Sequence, residues 1–338
     1  MAASTIILAI ETSCDDTSAA VLQGNKILAN ITASQAIHEK YGGVVPELAS
    51  RSHQENIVPV VDAAIQKSGI KLSQVEAIAF TQGPGLMGSL VVGTSFAKAL
   101  ALALNKPLIP VHHMKAHILA HFIEDAGNVK PEFPFLCLTV SGGHTQIVQV
   151  NSASDMQILG KTIDDAAGEA FDKAAKMLGL TYPGGPLIDQ YAQKGNAGKF
   201  HFSKPRIPDL NYSFSGLKTS ILYTLRDLVK ENPNFIEENK NDLCASIQNT
   251  ILDILLDKLE KAVKETNIHQ VAIAGGVSAN SGLRSRLLEK EKNGWQVFIP
   301  KFEYCTDNAA MIAITGAYLL KEGKIAEQDV SALARIEW

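Results

Sequence analysis

The chain opens on an unbroken apolar run, TIILAI at 5–10, followed by a polar turn, ETSCDD at 11–16, and a second apolar stretch, SAAVL at 18–22. A strand that is apolar throughout, without alternation, is the pattern of a sheet covered on both faces. The same order returns at 135–150, as FLCLTV, the turn SGGH at 141–144, and TQIVQV. Later in each half a strand feeds a glycine loop that opens a helix. In the first half these are AIAF at 77–80, Gly83-Pro84-Gly85 and a helix from about Ser89. In the second they are VAIA at 271–274, Gly275-Gly276 and a helix from about Asn280. Two halves of this kind predict a duplicated α/β domain.

A long insertion, about 164–265, separates the second hairpin from the second strand–loop–helix unit. It holds a helical segment at 165–178, a loop YPGGP at 182–186 too rich in glycine and proline for regular structure, and another turn-rich segment at 205–216. A long amphipathic helix is expected over about 243–264, with Ile247, Ile251, Ile254, Leu255 and Leu259 on its core side. The most apolar helix, around 90–104, is interrupted by Gly93, Ser95 and Lys98 and is not expected to span a bilayer. The first apolar run has no positive charge before it and acidic residues soon after, which reads as a buried strand and not as a signal peptide.

At 338 residues the chain suits two domains. Its 46% hydrophobic and 20% charged content is that of a soluble globular protein. A formal charge of −4 excludes a globally basic nucleic-acid binder, although not a local basic patch. Cys14, Cys137, Cys244 and Cys305 form no Cys-x-x-Cys pair, so reduced thiols in a cytosolic protein are expected.

The first chemical signal is VHHMKAHI at 111–118. On a helix, His113 and His117 lie one turn apart on the same face and can reach one metal ion. The metalloprotease pattern needs a glutamate after the first histidine, where this chain has Met114. Asp307 opens an expected helix at 308–320, so it is either a plain N-cap or the carboxylate that completes a two-histidine, one-carboxylate set. His112 and His121 are left out of the set. The loops at 83–85, 141–144 and 275–276 all follow strands, where backbone N–H groups and a helix terminus can receive an anion. Each alone reads better as a tight turn; together they favour a nucleotide. No Walker lysine pattern, clean Gly-x-Gly-x-x-Gly or Gly-x-Ser-x-Gly elbow is present. The acidic turn at 11–16 would face the same crevice, or be a solvated turn capped by Thr12 and Ser13.

Longer motifs carry a resemblance: VVPELASR at 44–51, the run 98–118 ending in His113-x-x-Ala116-His117, VSGGHT at 140–145, AFDK at 170–173, YPGGP at 182–186, FSGLKT at 214–219 and GGVSAN at 275–280. In order and over nearly the whole chain, they resemble the bacterial TsaD family, the tRNA N6-adenosine threonylcarbamoyltransferases formerly described as O-sialoglycoprotein endopeptidases. The resemblance implies a duplicated actin-like, Hsp70-like ATPase fold with two domains around a central nucleotide cleft. Residues 1–112 would form the first subdomain, joined by 307–338, and residues 113–306 the second, with the insertion at about 164–265. It further implies one divalent metal, iron(II) with zinc as the alternative, on His113, His117 and Asp307. Substrate binding would fall to Thr139, Val140, Ser141, Gly142, Gly143, Asp172, Gly185, Asp189 and Asn280.

The activity so implied is transfer of threonylcarbamoyl from threonylcarbamoyl-adenylate to N6 of the adenosine 3′ of the anticodon, in tRNAs reading codons that begin with A, with release of AMP. The implied partners are tRNA, a TsaB-like inactive paralogue, a TsaE-like ATPase and a TsaC-like synthase that supplies the adenylate, in the cytoplasm and without a membrane. For tRNA docking, KFHFSKPR at 199–206 and Arg284-Ser285-Arg286 are candidates, against the plainer reading of solvated charged faces. The competing expectations are a small-molecule kinase of the same ATPase superfamily, a metalloendopeptidase, and a non-catalytic scaffold.

Overall fold

The computed structural model describes residues 5–124 and 129–338. The chain divides into two units, one of Met1–Pro131, Ser152–Asp155 and Pro300–Trp338, the other of Glu132–Asn151 and Met156–Ile299.

In the first unit, β1 (Ile6–Glu11) runs antiparallel to β2 (Thr17–Gln23), and β3 (Lys26–Ala33) extends the hairpin. Helix α1 (Pro46–Ser68) begins on a proline, whose missing N–H has no helical partner to lose, and ends at Gly69 with φ 72°. Strand β4 (Ala77–Gly83) lies parallel to β1, pairing Ile7–Ile10 with Ala77–Phe80, and leads into α2 (Met87–Leu104). Strand β5 (Leu108–His112) passes directly into α3 (His113–Leu119). The sheet order is β3-β2-β1-β4-β5.

In the second unit β6 (Phe135–Val140), β7 (Thr145–Val150) and β8 (Met156–Lys161) repeat the antiparallel start. The insertion supplies α4 (Ala167–Met177), α5 (Gly184–Ala192), α6 (Ser215–Glu231) and α7 (Phe235–Thr266). Strand β9 (Gln270–Ala274), α8 (Ser281–Glu289) and β10 (Gln296–Phe298) follow. The order β10-β9-β6-β7-β8 is that of the first sheet in the corresponding positions, so the duplication read from the hydrophobic pattern is present in the topology. Helix α7 is longer than the apolar stripe at 243–264 suggested, because its first two turns are largely polar and only Leu243 onward is buried.

The chain then returns to the first unit as α9 (Ala309–Lys321). Ile6, Leu8, Ile10, Ile78 and Phe80 face Ile57, Val60, Val61 and Ala64 of α1 and Ala97 and Ala101 of α2. The alternate positions face α9, which comes so close that a Cβ on Gly316 would sit 2.7 Å from that of Ala79. This two-sided burial is why β1 carries no alternation; each buried aliphatic side chain contributes about 1.5–3 kcal/mol. Helix α2 is the one helix among the described residues long and apolar enough to cross a membrane. Here it packs on α1 and β4, and its Lys98 donates to the Val330 carbonyl at 2.9 Å.

Residues 113–124 lie in the first unit, so the boundary expected at 112/113 falls later in the chain. The reason is local: α3 continues from β5 without a linker and buries Met114, Ala116, Ile118 and Leu119 against its own unit, α9 included.

Candidate metal centre and glycine loops

His113 is the first residue of α3 and His117 follows one turn later, with ring centroids 4.8 Å apart and rings at 89°. His117 Nε2 lies 3.1 Å from Asp307 Oδ1, and His113 Nε2 lies 3.5 Å from the same oxygen. Ligand atoms of all three residues fall within 4.8 Å of one another, while the side chains of His113 and His117 are 10% and 1% exposed and that of Asp307 28%. Asp307 is not the N-cap of α9. Asn308 takes that place, its side chain accepting from Met311 N at 3.1 Å, which leaves the Asp307 carboxylate for the histidines. Met114, at the position where a protease would need its base, is buried.

The sequence placed Glu11 in the acidic turn at 11–16 without giving it a role of its own. It ends β1, is fully buried, and its Oε2 accepts from Thr81 Oγ1 at 2.6 Å and His113 Nδ1 at 3.1 Å, while Oε1 accepts from Ser13 N at 2.5 Å. Ser13 Oγ lies 3.2 Å from the same histidine nitrogen. The signal was a carboxylate closing an otherwise wholly apolar strand.

Burial opposes charge on His113, but the carboxylates of Asp307 and Glu11 outweigh it and push the imidazolium up to about 10. Burial likewise opposes charge on Asp307 and Glu11, yet His113 holds both below the usual carboxylate range, helped by His117 at Asp307 and by the Ser13 hydrogen bond at Glu11. Two carboxylates against two imidazoles make a pocket that favours a cation. The donors fit a first-row divalent metal: bonds of about 2.0–2.2 Å put neighbouring ligands roughly 3–3.5 Å apart, and two imidazoles with one carboxylate suit iron(II) or zinc. The observed 3.1 and 3.5 Å separations are of that size.

In the second unit, Thr139 and Val140 end β6, and the turn 141–144 closes with Ser141 N donating to His144 O at 2.8 Å and His144 N to Ser141 Oγ at 3.1 Å. A Cβ at Gly142, Gly143 or Gly276 would meet nothing within 4 Å. Gly275 differs, with φ 87° and a Cβ position that would overlap the Val140 carbonyl oxygen. Thr139 Oγ1, Gln146 Nε2 and Ser278 Oγ are buried without a partner among the described residues, and Thr139 sits opposite Gln146 and beside Ala274 in the sheet. Asp172 accepts from Gly184 N at 2.8 Å and Gly185 N at 3.2 Å, and burial raises its carboxyl above the ordinary value. Asp189 accepts from Ser281 N at 2.9 Å and Ser281 Oγ at 2.8 Å. Asn280 caps α8 through Leu283 N at 2.9 Å and donates to Gln248 at 2.7 Å. These last residues therefore brace the start of α5 and the segment between β9 and α8.

The four thiols are free, and burial pushes those of Cys137 and Cys244 up to about 12, so neither is a ready nucleophile. The basic stretches are partly neutralised: Lys199 pairs with Asp242 at 2.7 Å, Lys204 with Asp257 at 2.9 Å and Arg286 with Asp253 at 2.6 Å.

The doubled sheet with covering helices, carrying a His-His-Asp cluster compatible with a metal, defines a protein of the actin-like ATPase fold. Full-length HypF, solved in its phosphate- and nucleotide-bound form, shares that fold at TM-score 0.63 and 14% identity, over 95% of this chain and 47% of that one. Within this class the chain belongs to the TsaD family, tRNA N6-adenosine threonylcarbamoyltransferase, which matches residues 26–314. It is 60% identical over 335 residues to the tRNA N6-adenosine threonylcarbamoyltransferase of Phocaeicola vulgatus, covering 98% of this chain and 99% of that one. The enzyme of the same name from Christiangramia forsetii is 61% identical over 333 residues, 98% of each chain. The activity is accordingly formation of threonylcarbamoyladenosine in tRNA, and the kinase and endopeptidase readings are not favoured.

Proposed function

We propose that the donor is threonylcarbamoyl-adenylate and the acceptor N6 of the adenosine 3′ of the anticodon, in tRNAs reading codons that begin with A. The N6 lone pair forms a bond to the carbamoyl carbon, the carbon–oxygen bond to phosphate breaks, AMP leaves with that electron pair, and N6 gives up one proton. A mixed anhydride already has a good leaving group, so the protein has to position the reactants and stabilise charge rather than supply a nucleophile. This agrees with thiols that burial keeps protonated.

The observation that carries the proposal is the convergence of His113, His117 and Asp307. These residues hold one divalent metal, iron(II) in preference to zinc. When bound, such an ion supplies Lewis acidity toward a carboxylate or carbonyl oxygen. Thr139, Val140, Ser141, Gly142 and Gly143 receive the phosphate end of the adenylate, with backbone N–H groups approached closely where no side chain stands. Asp172, Gly185, Asp189 and Asn280 hold the nucleoside end, since hydroxyl and amine recognition suits carboxylates and amides. The acceptor base is splayed out of the anticodon loop, as enzymes acting on a base require. A TsaB-like paralogue, a TsaE-like ATPase and a TsaC-like synthase complete the system, in the cytoplasm.

Purified protein with threonylcarbamoyl-adenylate, those partners and unmodified tRNA tests this: modified adenosine and one AMP per transfer are expected. Phosphorylation of a small substrate, with tRNA unmodified, refutes it.

A further inference from the structure

We infer that Glu11 is a positioning residue, holding the His113 ring in the orientation and tautomer that present Nε2 to a metal. The inference rests on the reading of His113, His117 and Asp307 as a metal site. Glu11 follows five buried apolar residues of β1 and is itself fully buried. Among the described residues no lysine or arginine pairs with it; its one ion-pair partner is His113, at 3.1 Å. A buried carboxylate without such a cation is costly, and a neutral acceptor would satisfy the Ser13 amide and the Thr81 hydroxyl equally well. Those two donors instead clamp opposite oxygens of the carboxylate, at 2.5 Å on Oε1 and 2.6 Å on Oε2, and fix the plane in which it meets the imidazole.

A carboxylate only accepts, so His113 Nδ1 carries a hydrogen whether the ring is charged or neutral, and Nε2, on the side of Asp307, is the nitrogen that gives up its proton to a metal. Carboxylate–histidine–metal arrangements of this kind set both tautomer and ring angle. His117 has no such support: its Nδ1 is buried without a partner among the described residues. The site thus holds one imidazole braced through its Nδ1 and one that is not.

Cobalt(II) added to metal-free protein, with a competing chelator and the visible cobalt bands as readouts, tests this. Glu11→Gln should bind cobalt about 10–100-fold more weakly and alter the bands. Thr81→Val, which removes one clamp on Glu11, should weaken binding in the same direction, and Thr81→Ser should retain it. The ring 15N shifts of His113 in the zinc-loaded protein should report a hydrogen on Nδ1 and the metal on Nε2, a preference weakened in Glu11→Gln. Unchanged affinity in Glu11→Gln and Thr81→Val, with His113→Ala unable to bind, overturns the role of Glu11 and leaves the metal site standing. Unchanged binding in His113→Ala instead overturns the metal site itself. If Glu11→Gln fails to fold, the Thr81 pair decides.

Discussion

Alanine placed at Gly275 and at Gly276 should fail in opposite ways. Gly275 has φ 87° and ψ 167°, a region open in practice only to glycine, and its Cβ would run into the Val140 carbonyl. Backbone strain of about 1–3 kcal/mol plus the overlap with a central strand gives an expected loss of about 2–4 kcal/mol for Gly275→Ala. A Cβ at Gly276, like one at Gly142, meets nothing within 4 Å and needs no positive φ. Stability should therefore change by less than about 0.5 kcal/mol in Gly276→Ala and Gly142→Ala. If the open side of these loops is where the adenylate phosphate approaches, the new methyl stands in its way. Then kcat/KM should fall about tenfold or more, the kinetic equivalent of ~1.4 kcal/mol. Urea denaturation gives the first quantity, and modified nucleoside released from digested tRNA the second. Gly275→Ala as stable as Gly276→Ala refutes the packing argument; full turnover in both Gly276→Ala and Gly142→Ala refutes the ligand argument.

Two further contrasts separate structure from chemistry. Asn308→Ala should cost about 1 kcal/mol through the lost α9 cap yet keep the metal, whereas Asp307→Ala should lose the metal with little effect on the helix; helical stability and cobalt titration measure the two. Asp164 accepts from Ser213 Oγ at 2.5 Å, Phe214 N at 2.8 Å and Ser215 Oγ at 2.8 Å, and these bonds outweigh burial to hold it below the ordinary carboxylate range. A lowered carboxyl contributes stability above the unfolded value of about 3.9, and that contribution disappears as pH falls through the lower folded value. Because Asp164 is largely exposed, its charge is screened and Asp164→Asn should cost only about 1 kcal/mol at pH 7. The gap between the two urea midpoints should close in acid; a gap independent of pH would contradict the assignment.

The parts of the fold legible in the sequence were those fixed by local pattern. Unbroken apolar runs marked β1, β4, β6 and β9 because each is buried on both faces, and glycines marked the turns that follow β4 and β9. The ends of α3 and α9 were harder. Nothing around His113 says that this helix packs in the first unit, since the partner α9 lies far along the chain and the link is tertiary. Asp307 and Asn308 are both good caps, and only the backbone decides that Asn308 is used, releasing Asp307 toward His117. Glu11 gained no role of its own from the sequence because a glutamate at a strand end reads equally as the first residue of a solvated turn. Its meaning comes from Thr81 and His113, which reach it from β4 and α3. Asp172, Asp189 and Asn280 stood out by motif, and the hydrogen bonds they make to Gly184, Ser281 and Gln248 show a bracing role that spacing could not reveal.

On the proposed function, His113, His117 and Asp307 bind one metal that transfer requires. Metal content and threonylcarbamoyl transfer, measured together on the unsubstituted protein and on His113→Ala with the fold checked by circular dichroism, decide this. One ion per chain, lost together with transfer in the folded variant, is the expected result. A folded His113→Ala that keeps its full complement of metal would contradict the claim.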